Sequence, residues 1–170
     1  NAQKAFIWDT ITFDPGDRLL DFIAEAVSEH YEADSIGDIP HGKGWSAYKL
    51  KIRSFVYSLE PLPAHKFFVF HTQTRELPET GQEHDKNPKT YPKEIVALSE
   101  KTESVFAKWV DSIFHIKTGY VGDKEARVIL TRGNKYIEAG TKCVSLQKFP
   151  VIHWGNTDLE TYTKFRNLFT

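Results

Sequence analysis

His71, Thr72 and Gln73 place an imidazole and an amide two residues apart, on one side of the chain if the backbone there is extended. An imidazole titrates near neutral pH, so it can carry a proton or hold a metal. His65, six residues earlier, shares that side with Phe67, Val69 and His71. Another imidazole stands in His41-Gly42-Lys43-Gly44, beside an ammonium. Two imidazoles and a lysine suit metal-independent phosphodiester cleavage: a general acid, a general base and a cation for the phosphate. His41 and Lys43, with His71 or His65 as the second imidazole, are therefore candidate catalytic residues. An ordinary turn, in which the glycines supply positive φ angles, explains the loop as well.

A second set lies between Trp45 and Leu59, where Tyr48, Leu50, Ile52 and Val56 alternate with Lys49, Lys51, Arg53, Phe55 and Tyr57. In a strand, the three cations would line one face about 6.6 Å apart, and the two rings would continue it. Cations for phosphates and rings for bases are the equipment of a single-stranded nucleic acid binder. A solvated outer face is the plain alternative. A third reading is a non-catalytic module in which the same basic, aromatic face docks a protein partner.

The order of elements up to the central helix, together with His71-Thr72-Gln73, resembles the HUH endonucleases that initiate rolling-circle replication. Those enzymes carry His-hydrophobe-His, or in a circovirus-like variant His-hydrophobe-Gln, on a strand, and a tyrosine on a later helix. The resemblance implies metal-assisted attack of that tyrosine on a DNA phosphate. By it, His71 and Gln73 would hold a divalent metal, Asp9 would complete the site, and Tyr91, followed by Lys93, would be the nucleophile.

These residues depend on elements that the sequence also predicts. Lys4–Phe13 reads as a strand. Asp14 is expected to cap a helix with Pro15 in its first turn and a stripe from Leu19 to Tyr31. A linker covers Asp34–Gly44. Trp45–Leu59 and His65–Arg75 are expected to pair as a hairpin across Glu60–Pro63, with Glu76–Tyr91 an irregular loop. The strongest helical period spans Pro92–Gly119, where Ile95, Leu98, Thr102, Val105, Trp109, Ile113 and Ile116 recur every three or four residues; His115 would sit in its last turn as a cation near the negative end. Strands follow over Glu125–Thr131, Lys135–Glu138, Cys143–Phe149 and Val151–Trp154. A helix opened by the capping box Thr157-Asp158-Leu159-Glu160 closes the chain, burying Leu159, Tyr162, Phe165 and Phe169. The order β-α-β-β-α-β-β-β-α predicts an α+β fold with a mainly antiparallel sheet and helices packed on it.

At 170 residues, one domain is the simplest expectation. The chain contains no methionine, so either a fragment of a larger protein or a mature form stripped of its signal is expected. Cys143 is the single cysteine, which excludes an internal disulfide and reads as a small buried hydrophobe. No apolar run approaches the ~20 residues of a membrane span, and a soluble protein is expected. The net charge of −1 conceals a partition: residues 1–40 carry nine acids and two bases, residues 41–75 one acid and six bases. That balance argues against a general polyanion binder while leaving a local basic surface. Gly-x-Gly-x-x-Gly, Gly-x-x-x-x-Gly-Lys-Ser/Thr, Gly-x-Ser-x-Gly and His-Glu-x-x-His are all absent from these residues. The functional expectation is a nucleic-acid-binding or nucleic-acid-processing domain, a nuclease if it is an enzyme, acting on a phosphate-bearing partner.

Overall fold

Thr10–Phe13 forms β1 and pairs in parallel with β2 (His65–Phe68), Thr10 opposite His65 and Phe13 opposite Phe68. The computed structural model describes residues 9–155 and 157–167. Residues 4–8 of the predicted first strand lie outside the described residues. Phe13 and Phe68 stack at 4.6 Å between ring centroids, and Phe68 also meets Phe106 and Trp109 edge-on. The pair thus buries one face in rings and leaves Phe67 and Val69 exposed on the other.

After β1 comes α1 (Gly16–His30), with Asp17 in its first turn. Asp14 does not cap it: Pro15 is the cap residue and no side chain bonds there. Its buried stripe is narrower than predicted, with Leu20 and Val27 inside and Phe22 and Tyr31 exposed.

The largest departure is α2, a helix over Lys43–Leu59 where a strand was expected. Tyr48, Ile52 and Val56 lie four residues apart and so satisfy a period of two as well as the helical repeat. Leu59 at i+11 and Leu50 decide between them. Leu59 is buried, whereas Leu50, which a strand would turn inward, is 59% exposed. A segment of this length without proline or internal breaks favours helix over a strand several times the usual length. With α2 helical the predicted hairpin cannot form, and β2 finds β1 instead.

The predicted His65–Arg75 strand divides into β2 and β3 (Thr72–Pro78), and β3 pairs with β4 (Thr90–Val96) across the irregular residues 79–89. The long central helix is likewise shorter than its periodicity suggested. Only α3 (Glu100–Trp109) is helical; β4 lies before it, and β5 (Ser112–Ile113) and β6 (His115–Val121) follow. Residues beyond Trp109 are rich in β-branched and aromatic types, and pairing with β7 (Lys124–Leu130) takes them into a sheet. Gly122, at φ +62°, and Asp123 form the two-residue turn of that hairpin.

β7 is the middle strand of a three-stranded antiparallel sheet with β6 and β9 (Val151–His153). At its carboxyl end, from Val128 to Leu130, both faces are buried. Val128 and Leu130 pack on Ile137 and Ala139, while Ile129 packs with Leu146 and Ile152 among Phe114, Cys143, Trp154 and Phe165. The short pair β5–β8 (Gly140–Thr141) precedes α4 (Val144–Gln147), so the strand predicted over Cys143–Phe149 is a helical turn followed by irregular chain. The strand predicted over Lys135–Glu138 is reduced to a single parallel bridge, Glu94 to Ile137. In α5 (Asp158–Arg166), Thr157 Oγ1 accepts from the Glu160 N–H at 3.1 Å, as the capping box requires. Its buried residues differ from the expectation: Thr161 is buried and Phe165 half-buried, while Leu159 is 73% exposed and Tyr162 also exposed. Phe169 lies outside the described residues.

The protein is a mixed α+β fold, as predicted, arranged in two compact units. The first comprises Asn1–Thr72 with Val96–Trp109, its core built on α2 by Ile52 and Val56; the second comprises Gln73–Ile95 with Val110–Thr170, its core built on β7. Among the described residues no helix is long and apolar enough to cross a membrane.

Candidate functional site

In open α/β sheets, ligands gather at the carboxyl ends of parallel strands, where chain turns leave polar groups converging. The β1–β2 pair has such an end. Beyond the last paired residues, the Val69 N–H donates to Phe13 O at 3.0 Å and the Gly16 N–H to Val69 O at 2.6 Å, which seats the start of α1 beside the exit of β2. A Cβ on Gly16 would lie 2.6 Å from the Phe70 ring, so only glycine permits that approach.

The close approach brings Asp17 to His71. The His71 backbone N–H donates to Asp17 Oδ2 at 3.2 Å, and His71 Nδ1 lies 2.6 Å from the same oxygen. The carboxylate is partly covered, at 28% exposure, and the imidazole is 79% exposed. His71 O in turn accepts from the Ala97 N–H at 2.8 Å. One ring nitrogen is therefore held by an acid fixed in the first turn of a helix, and the open ring edge meets solvent. A carboxylate on Nδ1 selects the tautomer and orientation of an imidazole, which equips it to take a proton at Nε2.

Among the other predicted residues, Asp9 and His65 stand at the amino end of the strand pair, where the His65 N–H donates to Asp9 O at 2.8 Å. They are separated from His71 by at least the length of β2, about 13 Å at strand rise. Exposure does alternate through His65, Phe67, Val69 and His71, as expected for that side of the chain. His41 is exposed at φ +58°, beside Gly42 at φ +67°, just before α2, and Lys43 is the first residue of that helix.

The five residues of the predicted basic face are all on α2, so they cannot share one strand face. At 100° per residue they separate into Lys49, Arg53 and Tyr57 on one stripe and Lys51 with Phe55 on another. Lys51 and Phe55 join Phe22, Ile23, Ala26 and Ser54 in lining a groove of about 350 Å³ along α1.

Gln73 and Tyr91 belong to the second unit, on β3 and β4. Tyr91 is therefore not on a helix, as the rolling-circle resemblance implied, but on a strand. Its ring meets Tyr136 edge-on at 6.2 Å, and Lys135 Nζ lies 4.6 Å from its centroid. A hydrogen bond to Glu79, at 3.1 Å, raises the Lys135 ammonium above its ordinary pKa. His115, expected as a helix-end cation, is instead buried on β6 with Nε2 3.3 Å from Glu94 Oε2. Cys143 is half-buried; hydrogen bonds from Ser145 and the Leu146 backbone pull its thiol pKa down.

Sequence reasoning singled out His71 and did not pair it with Asp17. The signal was present: an acidic turn, Asp14-Pro15-Gly16-Asp17, closes one apolar run and His71 closes another. Those ends meet only if the two strands run parallel, and the hairpin assumed for Trp45–Arg75 excluded that.

These features define a mixed α+β protein whose first unit is organised on a parallel strand pair with an acid–imidazole couple at its carboxyl end. The chain belongs to the AAA domain family, whose model matches residues 6–143, well over half of its length. No curated protein and no solved structure matches it.

Proposed function

We propose that the protein binds a nucleoside triphosphate at the carboxyl end of β1 and β2 and promotes attack of water on its terminal phosphorus. The observation carrying this reading is the 2.6 Å contact of Asp17 with His71 Nδ1; membership of the AAA domain family, a class associated with nucleotide binding and hydrolysis, supports the choice of ligand. His71 Nε2 accepts the proton of the attacking water as the new oxygen–phosphorus bond forms and the bond to the leaving nucleoside diphosphate breaks. Asp17 keeps Nδ1 protonated and stabilises the imidazolium that results. The reading assigns the acid–imidazole side of the site, since these 170 residues carry no glycine-rich phosphate loop.

Nucleoside triphosphates are handled with magnesium, which takes one or two carboxylates and completes its shell with phosphate oxygens and water. The donors at this end fit that share: Asp14 and Asp17 flank one turn, and among the described residues no three His, Cys, Asp or Glu side chains gather to cage a metal alone. When bound, the ion would neutralise charge on the phosphates.

Calorimetry with magnesium and ATP, paired with a phosphate-release assay, tests the proposal. His71→Ala should leave nucleotide affinity within a few-fold and lower turnover by roughly 10²–10⁴; Asp17→Asn should also slow turnover while the fold persists. Absence of nucleotide binding in the presence of magnesium would overturn the reading. Cleavage of a labelled oligonucleotide that requires His71, without nucleotide turnover, would reassign the same pair to nuclease chemistry. A covalent DNA adduct on Tyr91 would favour the rolling-circle alternative.

A further inference from the structure

The cluster of Tyr91, Lys135 and Tyr136 in the second unit has no part in the reading above, and its backbone is held by several hydrogen bonds. The turn that carries it is pinned to β4. The Glu94 N–H donates to Tyr136 O and the Glu138 N–H to Glu94 O, each at 2.8 Å. Within the turn, the Gly133 N–H donates to Ala139 O and the Asn134 N–H to Ile137 O, while Asn134 Oδ1 accepts from the N–H groups of both Tyr136 and Ile137. Ile137 anchors it from below, buried against Val128 and Leu130. Two tyrosine rings are thereby fixed at 88° to each other, with the Lys135 ammonium 4.6 Å from one centroid and 5.9 Å from the other.

Tyr136 is 54% exposed despite this scaffolding. A backbone so fully bonded that holds a large ring in water is ready to bind, because the ordering cost has been met before any ligand arrives. The chemistry on offer is a flat π surface beside a cation, and Lys93 follows Tyr91 two residues along on the same side of β4. Glu79 is the resident anion on Lys135, at 3.1 Å. An ammonium has three donors, so it can donate to a phosphate oxygen while keeping that carboxylate.

We propose that Tyr136, with Tyr91 and Lys135, forms a nucleobase-stacking site: a base lies on the exposed tyrosine ring and its phosphate contacts the ammonium. The base could be supplied by a single strand of nucleic acid or by a free nucleotide, and the two sources separate by experiment. The proposal does not depend on the chemistry assigned to Asp17 and His71, so failure of hydrolysis there leaves it standing.

The test is fluorescence anisotropy of a labelled oligothymidylate of about a dozen nucleotides at low salt, with unlabelled thymidine triphosphate as competitor. Binding by the whole protein is expected. Tyr136→Leu should weaken it on the order of tenfold, and Tyr136→Phe, which keeps the ring, should restore it. Lys135→Gln should reduce the slope of log affinity against log salt by about one. Each of these side chains is exposed, so circular dichroism melts of the variants should overlay that of the parent. Displacement by the mononucleotide at concentrations matching its own affinity would identify a free nucleotide as the source; a bound oligonucleotide that it fails to displace would identify the single strand. Failure to bind either ligand at low salt would overturn the proposal, as would binding unchanged by both Tyr136→Leu and Lys135→Gln.

Discussion

Tyr48 is buried on α2, and its phenol titrates above the ordinary tyrosine value because burial disfavours the phenolate. A hydrogen bond with Thr102 works the other way, and the charge of Asp21 adds to the rise. In the unfolded chain the same phenol loses its proton near pH 10. Above that pH the unfolded state binds fewer protons than the folded one, so stability should be level in this group below pH ~10 and fall as pH rises past it. Urea titrations between pH 8 and about 11 should record that decline, and Tyr48→Phe should make it shallower. A decline of equal steepness in both proteins would remove Tyr48 as its origin. The same scale separates what the sequence could disclose about the candidate site from what it could not. His71 is conspicuous by residue type alone. Its partner is 54 positions away, and the pairing exists because two strands run parallel and Gly16 lets a helix start against Phe70. No local pattern encodes that meeting.

The element most misread from the sequence is α2, and substitution can distinguish the two alternatives. Leu50→Glu should change stability by no more than about 0.5 kcal/mol, since the side chain is exposed on the helix. Ile52→Ala should cost about 2–5 kcal/mol, because a fully buried side chain leaves a cavity. A proline at Leu50 should cost about 3 kcal/mol or more by removing a helical hydrogen bond. Chemical denaturation would rank them; comparable costs for the two truncating or polar changes would point back to a strand. The ambiguity has a plain origin: with buried residues at 48, 52 and 56, the even spacing of a strand and the four-residue step of a helix coincide. The closing helix was legible because its cap is local chemistry. The hairpin of β6 and β7 was half legible, since the first residues of β6 share the helical repeat that runs to Gly119 while its turn at Gly122 and Asp123 lies beyond it. Periodicity alone could not say where α3 stops, and the sheet partners did.

On the scale of the molecule, mixed α+β composition could be read from the alternation of apolar runs, whereas the division into two units could not. The chain enters the second unit at Gln73, returns to the first at Val96 and leaves it again at Val110. A fragment ending at Thr72 therefore lacks α3, whose Val105 and Phe106 are buried, and Phe68 and Phe70 lose their edge-on partner Phe106. That fragment should show no cooperative thermal transition, while the full chain should; a sharp melt of the fragment would mean that its core closes without α3. The partition of charge also lies within the first unit, where the acidic α1 packs on the basic α2.

The interleaved order has a further bearing on biosynthesis. A ribosome adds Phe68 and Phe70 ahead of Phe106, and at about 5–20 residues per second the interval amounts to roughly 2–8 s. The same lag separates their emergence from the exit tunnel, so the nascent polypeptide presents adjacent aromatic residues before their eventual cover has emerged, a window in which a chaperone would have its clearest opportunity to engage.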